Sequence, residues 1–168
     1  MKDKKSSFVC IGAVHIDKII KLKSNYILNR TNPSSQKQSL GGVAYNIASK
    51  IALFDKNIEL ISLNCVKIIK EEIKKRGIKF KTLNKKILDR SYTSILDKKG
   101  KLILGLANMN VYEQKFTLLN LKFNYQKKII FDLNLSKIYI NKLINQFYKK
   151  NIISICGTSH HKVLKIEN

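Results

Sequence analysis

Short apolar runs rich in β-branched residues alternate along this chain with segments whose apolar residues recur at helical period. That alternation limits the fold more than any other feature, because it leaves strand–helix–strand units as the natural arrangement. Residues 7 to 14, SFVCIGAV, read as a buried strand, preceded by lysines and followed by Asp17. From residue 43 the period changes: Ala44, Ile47, Ala48, Ile51 and Ala52 share one face of an amphipathic helix. Strand character returns in IELISL, 58 to 63. VKIIKEEIKKRG then reads as a helix with Val66, Ile69 and Ile73 on one face, ion pairs Glu71–Lys75 and Glu72–Arg76 on the other, and Gly77 as its stop.

The second half repeats the alternation after one interruption. Between 87 and 106, two apolar-aromatic runs flank DKKG, which predicts a β-hairpin with a short turn. KKIIFDL, 127 to 133, reads as a strand. SKIYINKLINQFYKK, 136 to 150, reads as a helix burying Ile140, Leu143, Ile144, Phe147 and Tyr148, with Ser136 at its N-cap. NIISICG, 151 to 157, is again a strand. Residues 18 to 40 are mixed: KIIKLKS suits a short strand and NRTNPSS a loop around the single proline, Pro33. The expectation is an α/β domain with a doubly wound parallel sheet and one antiparallel insertion. A length of 168 residues, 44% of them hydrophobic, suffices for one such core.

Net charge and cysteine content narrow the function classes. The formal charge of +22 raises nucleic-acid binding, but only three of the 33 basic residues are arginine, and the lysines are spread along the whole chain. Lys, Ile and Asn are all abundant and share A/T-rich codons, so base composition of the gene accounts for the charge. A dedicated binder would cluster it and use arginine for bidentate phosphate contacts. Nonspecific nucleic-acid adhesion at low salt is expected. Cys10, Cys65 and Cys156 form no C-x-x-C and read as small buried hydrophobes. His160 and His161 are adjacent, so they cannot face one metal from a helix, and no metal site is expected. The N-terminal residues lack a signal-peptide pattern and no run reaches bilayer length, which predicts a soluble, cytoplasmic chain with no membrane partner.

In an open α/β sheet, ligands bind beyond the carboxyl ends of the strands. Three polar groups fall there: His15 and Asp17 after the first strand, Gly41 and Gly42 before the helix bearing Asn46, and Asp132 with Asn134 after KIIF. Asn108 and Asn110, in LANMNVYE, close the hairpin. Each has an ordinary explanation taken singly, as strand punctuation, a tight turn or a cap. Together they describe a pocket of carboxylate and amide groups suited to a neutral polyhydroxylated ligand, with glycine admitting backbone N–H groups. No lysine or arginine stands out among these positions, which argues against a highly phosphorylated ligand.

These landmarks, in order, are FVCIGAVHID, TNPSSQKQSLGGVAYNIASKIALF, YTSILDKKGKLILGLANMNVYE and IIFDLNLS. Their series resembles the PfkB (ribokinase-like) carbohydrate kinases, most closely the pseudouridine kinases, from about residue 7 to about residue 166. The resemblance implies a Rossmann-like sheet with a small β-lid, whose elements would be approximately 18–40 and 87–110. It also implies transfer of the ATP γ-phosphoryl group to a sugar hydroxyl with Mg. Asp17 would hold ribose hydroxyls, and Gly41, Gly42 and Asn46 would shape the sugar site. Asn32, Asn108 and Asn110 would belong to the lid region facing base or sugar, while Asp132 and Asn134 would lie near the sugar and phosphate path.

The sequence departs from that family at four places. His15 stands where many sugar kinases have asparagine. ISLNCVKIIKEE lacks the VG-x-D-x-x-G turn. CGTSHHKVL replaces a DPVS-like segment and loses its aspartate. The late G-A-G-D motif, which carries the family's catalytic base at a helix N-terminus, does not occur in these 168 residues. The expectation is a truncated domain with no catalytic residue and its ATP and Mg sites largely missing. It would keep the substrate-binding half and be inactive alone. Its partners would be a small-molecule sugar or nucleoside, and either a C-terminal complementary polypeptide or a second copy joined through the lid. A sugar- or nucleoside-binding pseudokinase, half of a split kinase and a basic nucleic-acid-binding protein remain the alternatives.

Overall fold

The structure is a computed structural model that describes residues 7–114, 121–123 and 126–166. Five strands form a wholly parallel sheet: β1 (Phe8–Ile11), β4 (Ile58–Ser62), β5 (Lys79–Thr82), β8 (Lys128–Asp132) and β9 (Ile152–Cys156), in the order β5-β4-β1-β8-β9. Cys10 pairs with Leu60 on one side and Ile130 on the other. Alternate side chains of β1 therefore enter opposite layers. Cys10 packs with Leu60 and with Ala44, Ala48, Ile69 and Ile73 from helices α1 (Val43–Ile51) and α2 (Lys67–Lys75). Val9 and Ile11 pack with Ile129, Phe131 and the α3 (Lys137–Phe147) residues Ile140, Leu143 and Phe147. Both faces are covered, as the apolar strands require, and each large aliphatic side chain fully removed from water contributes roughly 1.5–3 kcal/mol.

The remaining strands make a separate four-stranded sheet: β2 (His15–Leu22), β3 (Ser34–Gly41), β6 (Ser91–Leu96) and β7 (Leu102–Asn108), in the order β3-β2-β6-β7. The predicted hairpin is present as β6–β7. The Asp97 carboxylate accepts the Lys101 N–H at 2.8 Å to close its turn. Two strands escaped the sequence reading. β3, SSQKQSLG, is polar and largely exposed, and its strand geometry comes from an eight-residue antiparallel ladder with β2 rather than from burial. β5, KFKT, is a short edge strand paired with β4.

Several local expectations change. Lys75 pairs with Glu72 at 2.6 Å instead of Glu71, and Glu71 pairs with Lys67. Arg76 lies over the Tyr45 ring, 5.7 Å from its centroid, rather than pairing with Glu72. Tyr148, the residue after α3, is 54% exposed instead of buried with Phe147. Ser136 occupies the α3 N-cap position without a side-chain cap bond. Cys10 and Cys65 are buried, but Cys156 is only half-buried on the edge strand β9. Gly77 does end α2: its N–H donates to the Lys74 carbonyl and the Ile78 N–H to that of Ile73. A short helix, α4 (His160–Val163), follows β9.

Candidate functional site

The parallel sheet's carboxyl edge is organised by one buried carboxylate. Asp132, at the end of β8, is 1% exposed. Its Oδ2 accepts the Ala13 N–H at 2.6 Å and the Ala44 N–H at 3.0 Å, and its Oδ1 accepts the Asn134 N–H at 2.9 Å. It thereby ties the exit of β1, the first turn of α1 and its own loop together. Asp132, which the resemblance puts near the sugar and phosphate path, is not among the residues lining the cleft described below, and its oxygens accept main-chain N–H groups.

The paired glycines answer to the same crowding. Gly42 precedes α1 with φ 105°, and a Cβ there would overlap the Ala13 carbonyl, which accepts the Tyr45 N–H at 3.2 Å. A Cβ on Gly41 would overlap the Asp17 carboxylate. Any side chain at either position would push α1 away from the β1–β2 connection or displace Asp17.

A second knot lies where the chain passes between the sheets. The Tyr112 hydroxyl accepts the Val14 N–H at 3.1 Å and donates to the Val14 carbonyl at 3.2 Å. Arg90 is 2% exposed, donates from Nη2 to the Leu63 carbonyl at 3.1 Å, and lies 5.0 Å from the Tyr112 ring centroid. Its Nε and Nη1 have no hydrogen-bond partner among the described residues. Burial pushes the Tyr112 hydroxyl well above the ordinary phenol range, so it stays a neutral donor.

Above these knots, between the two sheets, lies a cleft of about 680 Å³. Of the residues selected from sequence, it is lined by Asp17, Gly42, Asn46, Asn110 and Asn134. His15 lines it too, with Nε2 3.0 Å from Asp17 Oδ1. Burial lowers the His15 pKa most, Asp17 opposes that, and Arg90 adds to the lowering. Gly41 adjoins the cleft behind Asp17. Asn32 does not reach it: its amide closes the 27–32 turn, accepting the Ile27 N–H at 2.8 Å and donating to the Ile27 and Arg30 carbonyls. Asn108 pairs with Ser91 at the end of β7, is exposed, and is not among the lining residues.

Sequence reasoning passed over Tyr92, Met109, Tyr112, Glu113, Thr158 and Lys162, all of which line the cleft. Thr158 and Lys162 were within reach, because they follow β9 as Asp17 follows β1, and the strand-end rule applies equally to both. Lys162 thus adds a cation to a cleft whose sequence-selected positions include no lysine or arginine. Lys162 Nζ donates to Asn134 Oδ1. Tyr92 and Met109 carry no comparable signal, since only the placing of the second sheet over the first turns them inward. Among the described residues the cleft thus offers two carboxylates, Asp17 and a Glu113 paired with Lys165, several amides and hydroxyls, and the Lys162 ammonium group, which suits binding through many directed hydrogen bonds.

No family model matches the chain. It is 29% identical over 173 residues to the pseudouridine-metabolizing bifunctional protein of Schizosaccharomyces pombe, covering 97% of this chain and 23% of that protein. Among solved structures, it superposes on a carbohydrate kinase from Agrobacterium tumefaciens with a TM-score of 0.78 and 20% identity, covering 95% of this chain and 56% of that one. It superposes on the nucleoside kinase of Methanocaldococcus jannaschii with a TM-score of 0.69 and 19% identity, covering 97% and 58%. For a ribokinase from Cryptococcus neoformans in complex with ADP, the values are 0.68 and 13%, with 91% and 50% covered. The chain spans about a quarter of the curated relative and about half of the solved structures. The resemblance read from the sequence is thus matched in three dimensions, and the chain has the ribokinase-like α/β fold.

Proposed function

We propose that this chain is the substrate-binding portion of an ATP-dependent sugar or nucleoside kinase and that its cleft takes a ribosyl compound such as pseudouridine. The observation that carries the reading is the convergence of Asp17, Asn46, Asn110 and Asn134 on one cleft from four separate segments. A carboxylate accepts hydrogen bonds from two vicinal hydroxyls, and amides both donate and accept. The S. pombe relative metabolises pseudouridine, which favours that nucleoside as the first ligand to try. On this reading the second sheet acts as the lid over the sugar.

Phosphoryl transfer rests on positioning and charge stabilisation. These 168 residues contain no G-A-G-D segment to supply a base and an anion-binding helix start. On this reading the chain alone binds its ligand without phosphorylating it, and ATP and Mg are held mainly by residues outside this sequence. The exposure of the edge strand favours completion by another segment or polypeptide: Ile152 is 54% and Ile155 39% exposed on β9, which among the described residues has a neighbour on one side only. No helix among the described residues is long and apolar enough to cross a membrane.

Isothermal titration of the protein with pseudouridine, uridine and ribose tests the reading. Saturable binding to at least one of them, lost in Asp17→Ala, is expected. Binding unaffected by Asp17→Ala would place the ligand elsewhere, and ATP-dependent phosphorylation by the chain alone would overturn the division of labour.

A further inference from the structure

The cleft carries an ammonium group that the ribosyl reading does not use. Lys162 lines it from α4, held by its bond to Asn134 Oδ1. Glu113 lines the same cleft but is engaged by Lys165, whose Nζ lies 2.6 Å from Glu113 Oε1 and also donates to the Leu135 carbonyl at 3.0 Å. Lys162 therefore has no carboxylate at ion-pair distance among the described residues, although a candidate carboxylate lies in the same cleft. A half-buried cation fixed by a neutral amide remains available to an anion on the ligand.

Its position is set by the sheet. Asp17 lies beyond β1 and Lys162 beyond β9, and β8 separates those strands. At about 4.8 Å between neighbouring strands, the ends of β1 and β9, from which these two segments leave the sheet, are roughly 10 Å apart. Asn134, beyond β8, stands between them, and the Thr158 hydroxyl lines the Lys162 end. A ligand spanning this cleft meets a hydroxyl acceptor at one end and a cation with a hydroxyl at the other.

We propose that Lys162, with Thr158, receives the phosphate of a phosphorylated ribosyl ligand, so that the cleft holds a nucleoside monophosphate more tightly than the nucleoside itself. This rests on the reading that the cleft takes a ribosyl compound. It goes beyond that reading because it assigns a second, anionic recognition point to the β9 side and makes the phosphorylated compound the tighter ligand.

The test is calorimetry on the full chain with pseudouridine and pseudouridine 5′-monophosphate, at low and at physiological salt. Lys162→Gln, Lys162→Arg and a control at the exposed Lys142 of α3, Lys142→Gln, are compared. The control is needed because a net charge of +22 attracts any anion, an effect that salt screens and that no single lysine dominates. The monophosphate is expected to bind about ten- to hundredfold more tightly than the nucleoside, the range of a charge-assisted hydrogen bond. Lys162→Gln should erase the preference of the monophosphate over the nucleoside; Lys162→Arg and Lys142→Gln should retain it. Equal affinity for the two ligands, or equal losses in Lys162→Gln and Lys142→Gln, overturns the proposal and leaves the ribosyl reading intact. Binding of ATP alone that depends on Lys162 as strongly as the monophosphate does would assign the cation to a phosphate donor and also overturn it. If neither nucleoside nor monophosphate binds, both readings fall together.

Discussion

The hydroxyl of Tyr112 brackets Val14, accepting its amide hydrogen at 3.1 Å and donating to its carbonyl at 3.2 Å. Val14 lies on the connection that leaves the parallel sheet for the second sheet, and Tyr112 on the stretch that follows β7, the last strand of that second sheet. One residue therefore ties the outgoing chain to the returning one, immediately before His15 and Asp17. The position of the cleft's carboxylate is thus decided by a side chain 95 residues further along the chain than Asp17.

Tyr112→Phe keeps the ring against Arg90 but leaves the Val14 N–H and carbonyl without their partner. A loss of about 1–3 kcal/mol is expected, the cost of an unsatisfied buried group. It should appear as a lower urea midpoint with an unchanged m-value. A midpoint equal to that of the parent protein would show that the bracket adds nothing to stability.

The two aspartates should separate cleanly. Asp132→Asn substitutes an amide for a carboxylate that three main-chain donors share, so it should destabilise the fold by about 3 kcal/mol. Asp17→Asn, in the cleft, should leave the thermal midpoint nearly unchanged and weaken ligand binding about tenfold or more. If Asp17→Asn unfolded the chain and Asp132→Asn did not, the assignment of framework and ligand roles would be reversed.

His15 gives stability a pH dependence. Its pKa is lower in the folded protein than in the unfolded chain, chiefly through burial. As pH falls below about 6.5, the unfolded chain takes up a proton that the folded protein resists, so stability falls with pH in that window. Above it both forms are neutral and His15 contributes no slope. His15→Asn should flatten the midpoint-versus-pH curve below about pH 6.5 relative to the parent. An identical slope in the variant would remove His15 as its source.

The three thiols should react in an order set by packing. Burial, with Asp132 nearby, pushes Cys10 up to about 12, and burial raises Cys65, while Cys156 is half-buried on β9. A disulfide-exchange reagent at pH 8 should modify Cys156 first, with Cys10 and Cys65 reacting only after denaturant is added. Rapid labelling of Cys10 in the native protein would contradict its place in the core.

Much of this protein was legible in its sequence, because secondary structure here follows apolar period. The 3.6-residue spacing of Ala44, Ala48, Ile51 and Ala52, and the β-branched runs at 8–11, 58–62 and 128–132, each identify their element without outside help. The strand-end rule then selects Asp17, Asn46 and Asn134 as residues that can meet. β3 was invisible for the converse reason. Its residues are polar and its strand form is imposed by the ladder with β2, a partner that sequence period does not reveal.

Tertiary structure alone decided which polar groups are free. Asp132 and Asp17 look alike in sequence, each at a strand end, yet the first is consumed by Ala13, Ala44 and Asn134 N–H groups and the second faces the cleft. Asn32 closes its own turn, while Asn110 lines the site. Lys162 lines the cleft from α4, beyond β9, and bonds Asn134, while Glu113 in the same cleft is engaged by Lys165. Local pattern fixes the elements, since helices and strands form from near neighbours. The availability of a carboxylate or an ammonium group depends on donors and acceptors that folding brings from distant parts of the chain.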